Sequence, residues 1–232
     1  MILLGAAIGF ILGQVVATGL IALGASLSHY PGGLSALSRA SEPPWWANVL
    51  ALAGLWVGFG YAIHLARSRG ALAPLAAQWR VKASDVFYVV LGVGLQIAVA
   101  LAYLPFHLQH LNKPVNHLFA QAHGATFVAL AVLTTLGAPF MEEWFFRGVL
   151  YRGLDEALHG SSKAAGAWAA IIASALLFAL AHGEPAQFAG LAFLGVVLAW
   201  LVRRTRRLVP SIVTHISFNG VAVVALLIQR SH

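Results

Sequence analysis

The chain has 232 residues, 60% of them hydrophobic and only 9% charged, with a mean hydropathy of +0.82. Soluble domains carry about 25% charged residues, so a soluble globular domain is excluded and an integral membrane protein is indicated. No cysteine is present, which excludes disulfides, thiolate metal ligands and prenylation of a C-terminal cysteine in this chain.

Apolar runs long enough to cross a bilayer, ~20 residues each, fall at 2–27, 45–66, 84–104, 124–146, 165–182, 187–202 and 208–228. They are dense in Gly and Ala, which lets helix backbones approach closely. The expected fold is therefore all-α, a polytopic helical transmembrane bundle of seven spans, with six or eight as the alternatives. The first run has no basic residues ahead of it and reads as a span, not as a cleaved signal peptide.

Between the first two runs, "HYPGGLSALSRASEPPWW" holds Pro, Gly and Ser and ends in a Trp pair suited to a membrane interface. Residues 105–123 form a second loop containing His107, His110, His117 and His123. Their spacings put them on no common helical face and no carboxylate lies among them, so an interfacial loop is favoured there over a metal centre. The formal charge of +7 is a matter of topology, not a nucleic-acid footprint. Eleven of the 14 Lys and Arg residues fall in alternate loops on one face; Arg39, Lys113 and Arg230 lie on the other. The positive-inside rule makes the richer face cytoplasmic and places the N-terminus inside. Residues 1–123 read as N-terminal transmembrane spans of unassigned role, and everything suggestive of chemistry lies in 124–232.

The stretch "LGAPFMEEWFFRGVLYRGL", residues 136–154, places Glu142 and Glu143 inside an apolar run. A carboxylate at membrane depth is costly and marks a functional site by default. Glu143 and Arg147, at i and i+4, stand in the favourable acid-before-base order and can neutralise one another. Adjacent helical residues lie about 100° apart, which frees Glu142 to point into a polar cavity. Both carboxylates could equally sit among lipid headgroups, but Gly137 and Pro139 can open the helix there, and such breaks occur where backbone lines a cavity. His182 ends the next apolar run. His215 lies one to two turns into the last, with Asn219 at i+4 on its face; interhelical hydrogen bonding and catalysis suit that pair equally. Together these residues supply what amide hydrolysis needs: a carboxylate base, histidines to orient water or donate a proton, and an amide donor for an oxyanion.

The motifs "EEWFFR", "FALAH" and "HISFN", in that order, resemble those of the CPBP family of intramembrane proteases, which includes the type II CAAX prenyl endopeptidases and Abi proteins. The resemblance spans roughly 126–226 and leaves the first three spans unplaced. It implies Glu142 as the general base and His182 as the residue that holds and polarises the water. It further implies support from Glu143 and Arg147, an oxyanion site from His215 and Asn219, and Phe178 as a wall of the cavity. The implied activity is that of a membrane endopeptidase acting on a membrane protein or peptide.

No cofactor is favoured. Zinc on Glu142, His182 and His215 is the alternative, against which stand the lack of an H-E-x-x-H pair and ligands drawn singly from three helices. One feature of the spacing conflicts with a shared site. Glu142 lies roughly 15 Å from Arg152 and His215 roughly 12 Å from Arg207, whereas His182 lies roughly 28 Å from Lys163. Convergence requires the fifth span to start near Trp168, the "HGEP" turn to dip inward, or a different local topology. A non-catalytic scaffold or immunity-type binding protein is the competing function. A proton-relay transporter is third, without the paired broken helices that transport favours. The compact chain suits a bacterial inner membrane, and nothing in it fixes an oligomeric state.

Overall fold

The computed structural model describes residues 1–70, 78–106, 113–158 and 163–230. Seven helices are long and apolar enough to cross a membrane: α1 (Ile2–Leu27), α2 (Trp45–Ser68), α3 (Ala83–Phe106), α4 (Gly124–Ala157), α5 (Lys163–Ala181), α6 (Pro185–Thr205) and α7 (Val209–Arg230). Two short helices, Gly33–Leu37 and Lys113–Phe119, lie in the connections, and no strand occurs among the described residues.

Small residues decide which helices touch. Along α1 and α2 the backbones meet at Gly9, Gly13 and Ala17 against Gly54, Gly58 and Ala62; a Cβ on Gly58 would lie on the Gly9 carbonyl oxygen and the Gly13 backbone. This pair braces α4 from behind. Phe59 stacks on Phe145 with ring centroids 4.2 Å apart, and Gly137 leaves room for the Trp56 ring. On the other side α3 packs against α7, where a Cβ on Gly92 would meet the Thr214 carbonyl. Tyr103 Oη accepts a hydrogen bond from Gly190 N at 2.8 Å and ties the end of α3 to the start of α6.

The fourth span is longer than the 124–146 read from the sequence. The helix passes Arg147 and Arg152 without a break and ends at Ala157. Glu143 neutralises Arg147 inside the bundle, so the arginine does not mark a membrane boundary. Two π-helical stretches, Leu133–Gly137 and Glu143–Leu150, interrupt the α-helical hydrogen bonding.

This longer α4 removes the depth conflict. Helix α5 is already helical from Lys163, so it does not begin near Trp168; residues 159–162 lie outside the described ones. Ser174 Oγ donates to the Phe146 carbonyl at 3.4 Å, and each of these residues sits about eleven positions, ~16 Å, from the near end of its helix. One turn farther along, Phe178 comes level with Glu142. His182 lies a turn beyond that, and its side chain folds back because helical side chains lean toward the N-terminus.

At the far end, Arg230 donates to the Ala122 and Phe119 carbonyls at 3.1 and 2.7 Å and lies over the Phe127 ring. His107 and His110 of the histidine-bearing loop lie outside the described residues. At the basic end, Arg207 makes a two-bond contact to Asp85 at 2.7 Å each. That contact holds the Arg207 guanidinium above its ordinary pKa.

Candidate active site

Helix α4 supplies three of the site residues from consecutive turns. Glu143 and Arg147 are both fully buried, and Arg147 Nη1 donates to Glu143 Oε1 at 2.8 Å. A buried pair survives desolvation only when further hydrogen bonds satisfy it. Here Arg147 Nη2 donates to the Gly195 carbonyl on α6 at 3.3 Å, and the guanidinium lies 4.3 Å from the centroid of the Phe178 ring, a cation–π placement.

Glu143 Oε1 also takes a hydrogen bond from His215 Nδ1 at 3.0 Å. An ionised carboxylate only accepts, so Nδ1 carries the proton and Nε2 turns to the opposite side. There it faces Glu142 Oε2 at 3.8 Å, too far for a direct hydrogen bond and a separation that one water can bridge. Glu142 Oε2, Glu143 Oε2 and Arg147 Nε are all buried without a hydrogen-bond partner. The Glu142 side chain keeps 18% of its surface, in contrast to Glu143, which has none. The two adjacent carboxylates therefore do not serve separate faces. They address the two nitrogens of one imidazole that enters from α7.

Phe178 is the hub of the arrangement. It is fully buried and contacts the rings of Phe146 (5.3 Å), His182 (4.6 Å) and His215 (5.5 Å) edge-on. The family resemblance implies Phe178 as a cavity wall; in the structure its ring lies against the Arg147 guanidinium and both imidazoles. His182 Nδ1 donates to the Phe178 carbonyl at 2.8 Å, which leaves its Nε2 as the free nitrogen, on an exposed ring.

Asn219 lies one turn beyond His215. Its Nδ2 donates to the Thr134 carbonyl at 3.1 Å. In the first π-helical stretch Ala138 N bonds to the Leu133 carbonyl five residues back, and the next such bond would need an N–H from Pro139, which has none. Asn219 supplies the missing donor. One of its two amide hydrogens is thus committed to the backbone and the other remains.

Among the described residues no group of three His, Asp or Glu side chains is arranged to hold a metal ion. Sequence reading missed Ser174, Gly195 and Thr134. Ser174 had a signal, as the lone hydroxyl in the apolar run of the fifth span; the other two act through backbone carbonyls, which no side chain announces.

Fold and site together define a polytopic helical membrane protein with a buried carboxylate–histidine centre. Residues 123–221, somewhat under half of the chain, match the family described as Type II CAAX prenyl endopeptidase Rce1-like, and this match supports assigning that part of the chain to the CPBP/CAAX protease family. No curated protein and no solved structure matches the chain significantly.

Proposed function

We propose that the protein is an intramembrane endopeptidase that hydrolyses a peptide bond in or near the bilayer through a glutamate-activated water. The observation that carries this reading is the unpaired Glu142 Oε2, set 3.8 Å from the Nε2 of a histidine whose other nitrogen is anchored on Glu143.

Glu142 takes a proton from a water held between it and His215 Nε2, and His182 polarises that water. The water oxygen bonds to the substrate carbonyl carbon, and the negative charge moves to the carbonyl oxygen. His215, when protonated, and the second amide N–H of Asn219 donate to that oxyanion. The C–N bond then breaks, and the proton held by Glu142 passes to the leaving amine. Glu143, Arg147 and Phe178 position the other residues without touching substrate. On this reading no step runs through a metal.

The substrate on this reading is a membrane protein or membrane-associated peptide, residues 124–232 form the catalytic part, and residues 1–123 support it. A cytoplasmic N-terminus in a bacterial inner membrane agrees with the placement of the basic loops. The decisive experiment compares wild type with Glu142→Gln in native membranes and reads the termini of membrane-protein peptides. Glu142→Gln keeps the side-chain shape and should abolish new termini while leaving folding and partner association intact. Identical termini in both samples would leave the protein a scaffold whose polar residues only join helices.

A further inference from the structure

Near the middle of α1 stands a polar side chain for which the described bundle provides no partner. Gln14 is exposed and lies ~18 Å along the axis from Ile2 and ~20 Å from Leu27. Its backbone carbonyl accepts from Thr18 Oγ1 at 2.9 Å, but no described residue bonds its side-chain amide. Hydroxyls within other spans satisfy themselves: Thr134 and Ser217 donate to carbonyls four residues back at 2.8 and 2.9 Å. A carboxamide, with two donors and an acceptor, needs an outside partner. Left in hydrocarbon without one it is costly, and from the centre of a span it is too short to reach the headgroups.

Around Gln14 the outer side of α1 is an uncovered strip. Leu4, Ala7, Ile11, Gln14 and Thr18 are all exposed, at the alternating three- and four-residue spacing of a helix–helix seam. Gly9, Gly13 and Ala17, which meet α2, lie on a different side of the helix. A second copy of the chain is the occupant that symmetry singles out. Copies inserted in the same orientation are related by a two-fold axis along the membrane normal, which brings same-numbered residues to the same depth. Two Gln14 amides then face one another, and each Oε1 can accept from the other's Nε2, whereas any other helix would need its own polar group at this level.

We propose that the protein forms a two-fold dimer in the bilayer through the exposed strip of α1, joined by a reciprocal Gln14–Gln14 hydrogen bond at the centre of the span. This dimer does not depend on the peptidase reading. The chain has no cysteine, so an introduced thiol reports alone. Ile11→Cys should give a disulfide-linked dimer when oxidised in phospholipid liposomes at low protein density. Val90→Cys, on the lipid-facing side of α3 and as exposed as Ile11 (71% against 62%), should not. Adding Gln14→Leu to Ile11→Cys should lower the linked fraction about tenfold, as expected when an interhelical amide pair is lost. Leucine suits a lipid-facing position, so the fold is kept. Absence of a link at Ile11→Cys, equal linkage at Val90→Cys, or linkage indifferent to Gln14→Leu would overturn the proposal.

Discussion

Glu143 accepts from Arg147 and from His215 through a single oxygen, so the charge of each member depends on the others. Removing one partner strands a charge in low dielectric, at a cost of about 3–5 kcal/mol. Glu143→Gln and Arg147→Gln should each destabilise the fold by that order, while the double substitution should cost clearly less than the sum; unfolding equilibria in bicelles measure both. Strict additivity would mean that the two do not act as a pair. Phe178 carries the second prediction at this scale. Phe178→Ala should lose about 3–5 kcal/mol of stability, and Phe178→Leu should keep the fold but lower kcat more than KM. The reason is that Leu fills the space without offering a π face to Arg147 or the edges of two imidazoles. Equal effects on kcat and KM with Leu would reduce Phe178 to filler.

Helix α4 shows how an element is shaped by one missing donor. Pro139 cannot bond the Thr134 carbonyl, and Asn219 of α7 does so instead. Asn219→Ala should therefore cost about 1–3 kcal/mol by leaving a buried acceptor unsatisfied. The loss should shrink in a Pro139→Ala background, where the restored N–H can serve the same carbonyl. A loss of the same size in both backgrounds would show that Asn219 does not hold this turn. Gly137 and Pro139 signal a disturbed helix in the sequence, since both residues weaken the regular ladder. That the disturbance is a pair of π-helical stretches, and that Asn219 answers it, depends on which helix lies opposite, and no local signal carries that.

Across the whole molecule, α1 and α2 back the α4 segment that bears the carboxylates, and α3 holds α7 through Gly92. The N-terminal spans thus act as the frame against which the site is set. Gly58→Leu, which forces the α1–α2 backbones apart, should lower both thermal stability and cleavage although it lies outside the matched region; unchanged activity in folded protein would uncouple the frame from the site. The chemistry itself should survive exhaustive chelation, with less than stoichiometric metal by elemental analysis. Loss of cleavage that zinc alone restores would reverse that expectation.

Composition and run length by themselves determined a seven-span helical membrane protein, because a bilayer demands about 20 apolar residues per crossing whatever the partners. Motif order likewise pointed to Glu142, Glu143, Arg147, His182, His215 and Asn219, since ionisable and amide groups stand out in an apolar chain, whereas Phe178 came from the family resemblance alone. Tertiary structure alone decided that α4 runs on to Ala157 and so brings Phe178 level with Glu142. It also decided that both glutamates meet one imidazole, that Phe178 is fully buried, and that Trp79 packs on Phe140 and Trp144 of α4 from a loop more than 60 residues upstream. The physical reason is common to all four: spacing along one helix sets the direction of a side chain, but its partner comes from whichever helix packs against it.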